Sequence, residues 1–356
     1  MVAGHPLAMD KRLPQLDAVR GVAILLVMLV NTSEKYPELH LQHFVGNGWM
    51  GVDLFFALSG FLITGILLDS KSAPHYFKSF YVRRVLRILP LYYAVLLFMF
   101  VIVPLVRPAE GHAIFEKSSP WWAYPVFLQN FLVAVPTKGA GPLGAAWSLA
   151  IEEQFYLLWP LVVGYCSLVQ LRRIAIILIL LSPPLTYYLA AHHVLIYSNV
   201  FCRQVGLMAG ALLAIMLRSD GFAPAKYLKA AWLFFAVTLT VAFVSEALNA
   251  RWLAFTFVGL AAASFIFLAL YSRQAWLQNA LRNRFLLYTG TISYGLYLLH
   301  KIPGDFAQTL HLDSYPIAVL PIIFLGSYAL AALSWRFFEH PILQLKRFFV
   351  SEHQVP

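Results

Sequence analysis

The sequence predicts an all-α integral membrane protein with about ten transmembrane helices and both the N- and C-termini cytoplasmic. Three observations predict it. Of the 356 residues, 60% are hydrophobic and 12% charged, and the mean hydropathy is +0.71, whereas a soluble domain carries roughly a quarter of its residues as charges. Apolar runs of about 20 residues, enough to cross about 30 Å of hydrocarbon, recur from end to end. Basic residues alternate between rich and poor connections in step with those runs. The same composition excludes disorder and collagen-like repeats. The two cysteines, Cys166 and Cys202, sit inside apolar runs, which argues against a disulfide framework or a zinc site.

The spans are expected near 16–33, 49–69, 84–106, 145–168, 172–191, 199–217, 229–248, 251–271, 285–302 and 315–336. Residues 1–15 then form a cytoplasmic N-terminal segment, 16–342 a transmembrane domain and 343–356 a cytoplasmic tail. Lys11 and Arg12 precede the first run in the manner of a signal peptide, but no small-residue cleavage site follows it, so the run reads as a retained helix. The piece at 121–135, with two Trp, a Tyr and an internal Pro, is too short to span and is expected to be interfacial or re-entrant.

With a cytoplasmic N-terminus and ten alternating helices, 18 of the 26 Lys and Arg residues fall on the inner side and only 6 on the outer, namely Lys35, Arg107, Lys117, Lys138, Arg251 and Lys301. This obeys the positive-inside rule at every inner connection. The net charge of +10 therefore marks topology, and no nucleic-acid partner is needed to explain it. Two basic residues remain, Arg20 and Arg203, both inside expected spans. An arginine at mid-helix costs about 2.5 to 3.5 kcal/mol to insert and ordinarily faces the bundle interior with a partner. Asp17, Asp53, Asp69, Glu152, Glu153 and Glu246 are the acidic residues inside or at the ends of spans that can serve.

On the first helix, Arg20 and Asn31 are eleven residues apart, close to three full turns, and so share a face. The second has glycines at 48, 51, 60 and 65, read as sites of close helix packing, with Asp53 a turn inside its outer end and Ser59 near its middle. Arg83, Arg84 and Arg87 open the third as one patch at three- and four-residue spacing. That patch is either a cytoplasmic anchor or a phosphate clamp, since bidentate guanidinium forks and helix N-terminal N–H groups favour polyanions such as coenzyme A. The fourth helix carries the adjacent carboxylates Glu152 and Glu153, about 100° apart around its axis. One is a candidate partner for Arg203 and the other a candidate for catalysis. Of the eleven histidines, only His300, at the outer end of the ninth span, is clearly embedded. His40 and His43 lie in a short outer loop without a third metal ligand nearby.

The segments LDAVRGVAILLV, GWMGVDLFFALSGFLITGIL, FYVRRVLRILPLYY, WSLAIEEQFYLLWP, FCRQVGLMAGALLA, GTISYGLYLLH and LSWRFFEHPI resemble, in order, those of the acyltransferase 3 family of integral-membrane O-acyltransferases. The resemblance runs from residue 16 to about 342. It implies a multi-pass enzyme of a bacterial inner or plasma membrane that takes an acyl group, typically acetyl, from cytoplasmic acyl-CoA. The group passes to a hydroxyl of an extracytoplasmic glycan or lipid-linked sugar, and the lipid bilayer is the surrounding partner. No cofactor is expected beyond acyl-CoA as co-substrate, and no metal. Arg20 is similar to the family's functional arginine on the first helix; Arg83, Arg84 and Arg87 look like its basic donor-binding motif; Glu152 and Glu153 look like its paired glutamates. Many relatives add a C-terminal hydrolase-like domain, and this chain resembles the stand-alone form.

The resemblance breaks at one place. The family typically has a histidine ten or eleven residues after that arginine, where this chain has Val30 and Asn31. An amide can orient a hydroxyl but has no useful basicity. The alternatives are that His40 or His43 folds back, that His300 or Glu152 serves as the base, or that acyl transfer is lost. The expected catalytic set is Arg20, Asn31, Asp53 and Glu152. The donor-binding set is Arg83, Arg84 and Arg87, with Trp147, Glu153, Arg203 and His300 binding the acceptor or supporting the site. A transporter or flippase of a small anionic or acylated substrate is the reading from a different class. It would use the same buried arginines, although no internal repeat is evident between the halves of the chain.

Overall fold

The computed structural model describes residues 13–37, 40, 42–132, 141–309, 312 and 316–348. Lys11, Arg12 and Lys138 lie outside these, as do residues 349–356 of the expected tail and the side chain of His43.

Helices stand at all ten expected places. They are α1 (Pro14–Lys35), α2 (Met50–Asp69), α3 (Tyr76–Leu97), α4 (Ala146–Tyr165), α5 (Leu168–Ala191), α6 (Val200–Met216), α7 (Pro224–Ala247) and α8 (Arg251–Tyr271). The ninth place holds two pieces, α9 (Arg284–Thr291) and α10 (Ser293–Leu299), followed by α11 (Ile302–Thr309); α12 (Pro316–Ser334) fills the tenth. Among the described residues, seven helices are long and apolar enough to cross a membrane, while Val200–Met216 is a shorter apolar helix. The all-helical build follows from the solvent: hydrocarbon offers no partners for backbone N–H and C=O groups, so each segment satisfies its own.

Local chemistry sets several helix ends. Ser167 and Gln170 form a capping box at the start of α5, Asn199 accepts from the Phe201 N–H to cap α6, and α7 opens on Pro224. Two expectations shift. The third helix starts at Tyr76 rather than near 84 and continues through a π-turn (Phe98–Ile102) to Val106. Its 31 residues extend about 46 Å, roughly 16 Å more than the hydrocarbon needs, so the arginine-bearing turns need not lie among lipid tails. The ninth span is interrupted at Ile292.

The chain forms two compact units. The first comprises α1 up to Val27, Trp49–Lys71 and Ile151–Thr291. Here α2 packs on α6 at backbone distance: a Cβ on Gly60 would lie 1.9 Å from the Leu207 carbonyl oxygen, and one on Gly210 would lie 2.0 Å from that of Ala57. A Cβ on Gly290 would likewise meet the Asp17 carbonyl oxygen at 1.8 Å, so α9 presses on the start of α1. Small residues permit this approach, as read for the second helix. Leu16, Val19, Leu58, Phe61, Ile266 and Leu281 fill the core.

The second unit comprises Met28–Gly48, Ser72–Ala150 and the chain from Ile292 onward. In it α10 and α11 pack on α12, and the continuation of α12 through a π-turn (Trp335–Glu339) and His340–Gln344 folds back on α3. The described part of the stretch near 121–135, residues 121–132, holds no helix long enough to span. It holds a 3-10 turn at Trp121–Ala123 and a helical turn at Gln129–Leu132, with Trp121 and Trp122 exposed. The Tyr92 hydroxyl donates to the Tyr124 carbonyl (3.0 Å) and the Gln129 amide to that of Ala146 (2.8 Å), fastening the stretch to α3 and to the head of α4.

Candidate functional site

Within the first unit, Arg20 donates to Asp17 at 2.6 Å, one turn back on α1. The pair is partly buried, and the backbone of Asp17 is itself pressed against Gly290. The guanidinium is therefore held from a fixed turn of helix.

The second intramembrane arginine meets a carboxylate other than the glutamates considered for it. Arg203 pairs with Asp53 at 2.8 Å, and the two side chains are 0% and 1% exposed. Phe255, Tyr197, Trp49 and Phe56 surround the guanidinium, with ring centroids at 4.2, 5.3, 5.4 and 6.0 Å. The physical reason is the glycine-lined α2–α6 seam. A Cβ on Gly206 would stand 3.1 Å from the Asp53 carbonyl oxygen, which brings Arg203, one turn away, onto Asp53. Aromatic faces and a carboxylate together replace the water this cation lost. Asp53, expected in the catalytic set, is enclosed in this box and held by Arg203 through Oδ2.

Glu152 has a different partner. The Tyr156 hydroxyl donates to Ser59 Oγ at 2.9 Å, and Ser59 Oγ donates to Glu152 Oε1 at 2.6 Å. Below them Trp159 Nε1 donates to Thr64 Oγ1 at 2.8 Å. Residues 152, 156 and 159 lie on one face of α4 at helical spacing. Sequence reading noted Ser59 without giving it a role and passed over Tyr156, although that polar stripe was a usable signal. Glu153 is half-buried beside Glu152.

In the second unit, Arg83 and Arg84 are half-buried and Arg87 exposed, with Arg84 5.7 Å from the centre of the Phe80 ring. The C-terminal chain adds two groups that the sequence did not assign to this patch. Glu339 is buried within electrostatic reach of Arg87 and accepts from Ser334 Oγ at 2.8 Å. Lys346 is half-buried and stands in like-charge reach of Arg87, Arg84 and Arg83. Four cations thus converge on one end of α3.

Elsewhere in this unit, His300 is 4% exposed and its Nδ1 lies 2.9 Å from the Tyr297 carbonyl. The Tyr297 hydroxyl donates to the Ala145 carbonyl at 3.1 Å and is hydrogen-bonded to Ser148 Oγ. The Ser327 hydroxyl donates to the His300 carbonyl at 3.2 Å. Lys35 pairs with Asp305, and the Tyr36 hydroxyl donates to the Gly304 carbonyl at 3.2 Å. Asn31 and Trp147 are half-buried; His40 is exposed, with a positive φ of 51°.

Comparison with known proteins sets these groups in a family context. A family model described as an acyltransferase domain matches residues 13–336. The peptidoglycan O-acetyltransferase OatA of Listeria monocytogenes is 30% identical over 93% of this chain and 56% of its own length. A putative peptidoglycan O-acetyltransferase of Bacillus subtilis, YrhL, is 31% identical over 95% of this chain and 56% of its own. A putative O-acetyltransferase of Staphylococcus aureus is 27% identical over 92% and 57%. The chain thus spans little more than half the length of these relatives. No solved structure matches.

Proposed function

The chain belongs to the acyltransferase 3 family, and from that premise we propose that this multi-pass membrane protein is an O-acetyltransferase. In this reading it moves an acetyl group from acetyl-CoA on the cytoplasmic side to a hydroxyl of an extracytoplasmic glycan. Peptidoglycan is the first acceptor to try, because two of the relatives are named for it.

The observation that carries the reading is the Tyr156–Ser59–Glu152 chain of hydrogen bonds. A carboxylate holding a hydroxyl amid apolar helices is suited to orienting an acceptor oxygen. The remaining roles divide as follows. Arg83, Arg84 and Arg87, joined by Lys346, bind the coenzyme A phosphates, where planar guanidinium forks match phosphate oxygens. Arg20, held by Asp17, stabilises negative charge on the donor. Asn31 orients a hydroxyl, and Trp147 and Glu153 support the acceptor end. Asp53 and Arg203 leave the catalytic set and act as a structural pair.

The transport reading drew on intramembrane arginines in search of a substrate anion. Both are matched by carboxylates of the chain itself, Arg20 by Asp17 and Arg203 by Asp53, so that motive is gone.

Membranes containing the full chain are expected to transfer label from radioactive acetyl-CoA to peptidoglycan fragments, and Arg20→Ala to abolish it. Transfer unchanged in that variant would sink the assignment.

A further inference from the structure

The family pattern places a histidine late on the first helix, and here that position holds Asn31. An acyl transfer to a sugar hydroxyl still needs a group to take the hydroxyl proton, with a contribution of typically 10²- to 10⁴-fold from a well-placed base. His300 has the geometry for it. A carbonyl oxygen can only accept, so the 2.9 Å contact between Nδ1 and the Tyr297 carbonyl places a proton on Nδ1. In the neutral imidazole, Nε2 is then the acceptor nitrogen.

That nitrogen is the unusual atom. Nε2 is buried and has no hydrogen-bond partner among the described residues, and the ring as a whole is 4% exposed. A buried polar atom left unmatched is unfavourable, and such atoms in native proteins call for a functional or structural account. Everything else about the residue is fastened. The turn on which it sits is held by Ser327 on α12, and the preceding turn is tied by Tyr297 to Ser148 and to the Ala145 carbonyl at the head of α4. The ring is oriented by a backbone carbonyl, as catalytic imidazoles commonly are.

We propose that His300 Nε2 is the general base for the acceptor hydroxyl, doing from α10 what the family's first-helix histidine does elsewhere. The inference rests on the acyl-transfer reading above. In the step, the acceptor O–H gives its proton to Nε2 as its oxygen bonds to the thioester carbonyl carbon. The C–S bond then breaks, and the departing coenzyme A thiolate takes the proton back from the imidazolium. Tyr297 is a positioning residue in this scheme, acting through the carbonyl that sets the tautomer.

The test uses two variants of the full chain in membranes, with labelled acetyl-CoA and peptidoglycan fragments as probes. His300→Asn keeps an amide N–H where Nδ1–H stood, preserving the bond to Tyr297, and removes only Nε2. It is expected to lower kcat by 10²- to 10⁴-fold while the KM for acetyl-CoA stays within about twofold. His300→Ala opens space for the ring and is expected to regain transfer when imidazole is added. Wild-type rates in His300→Asn would overturn the proposal while leaving the acyl-transfer reading intact. Loss in both variants without recovery in imidazole would make the residue structural and overturn it equally. A wild-type chain that moves no acetyl group would take down the function reading and this inference with it.

Discussion

Two groups of arginines in this chain receive opposite treatment. Arg203 is sealed at 0% side-chain exposure with one carboxylate and four aromatic rings. Arg83, Arg84 and Arg87 are gathered with a fourth cation, Lys346, all but the exposed Arg87 half-buried. The first arrangement pairs one cation with one carboxylate inside the fold. The second gathers four cations, with the Glu339 carboxylate in reach of Arg87. A buried arginine is thus not by itself a functional group; the first is an enclosed pair, whereas the second is a cluster of like charges that reaches the surface.

The comparison breaks most visibly if the sealed pair is opened. Arg203→Ala leaves the Asp53 carboxylate buried without its partner and is expected to cost about 3 to 5 kcal/mol, read as a drop in thermal stability in detergent. The double variant Asp53→Ala with Arg203→Ala should lose clearly less than the sum of the single losses. Additive losses would show that the pair is not a unit.

Opening the other group should do the reverse. Lys346→Ala relieves repulsion among the cations, so stability should hold or rise slightly. The KM for acetyl-CoA should climb about tenfold, the scale of one lost charge-assisted contact, with a weaker salt dependence. An unchanged KM would make the patch an anchor rather than a donor site. The smallest effect is expected at Ser59, a neutral link between Glu152 and Tyr156. Ser59→Ala should cost about 1 kcal/mol of stability, with acetyl transfer falling by more than that loss accounts for. A loss of stability with unaltered transfer would class the link with the sealed pair.

Much of the fold was readable from hydropathy, since a bilayer leaves the backbone few options and apolar length marks each helix. The discrepancies have local causes. The third helix begins at Tyr76 because its first turns carry Lys78, Arg83 and Arg84, which hydropathy discounts although helix geometry does not stop there. The ninth span is broken next to Gly290, where α9 presses on the backbone of Asp17.

The candidate site was legible where it is local and opaque where it is tertiary. Arg20 and Asp17 are one turn apart and could be matched from spacing alone. Arg203 and Asp53 are 150 positions apart and meet only because glycines bring α2 and α6 to backbone contact. Lys346 reads as a simple tail cation until the chain after α12 folds back on α3. Glu152 was singled out for its charge, but Ser59 and Tyr156, which fix its place, carry none.

The 150 positions between Asp53 and Arg203 are also an interval of time. A ribosome adds about 5 to 20 residues per second, so α2 enters the bilayer roughly 8 to 30 s before the arginine on α6 can follow. Throughout that interval the carboxyl of Asp53 is without the guanidinium of Arg203, and an unpaired acidic residue within a span carries an insertion cost. Arrival of α6 removes that cost and brings its glycines against α2 in the same event. The pair can therefore close only late in synthesis, when the later of its two helices has been made.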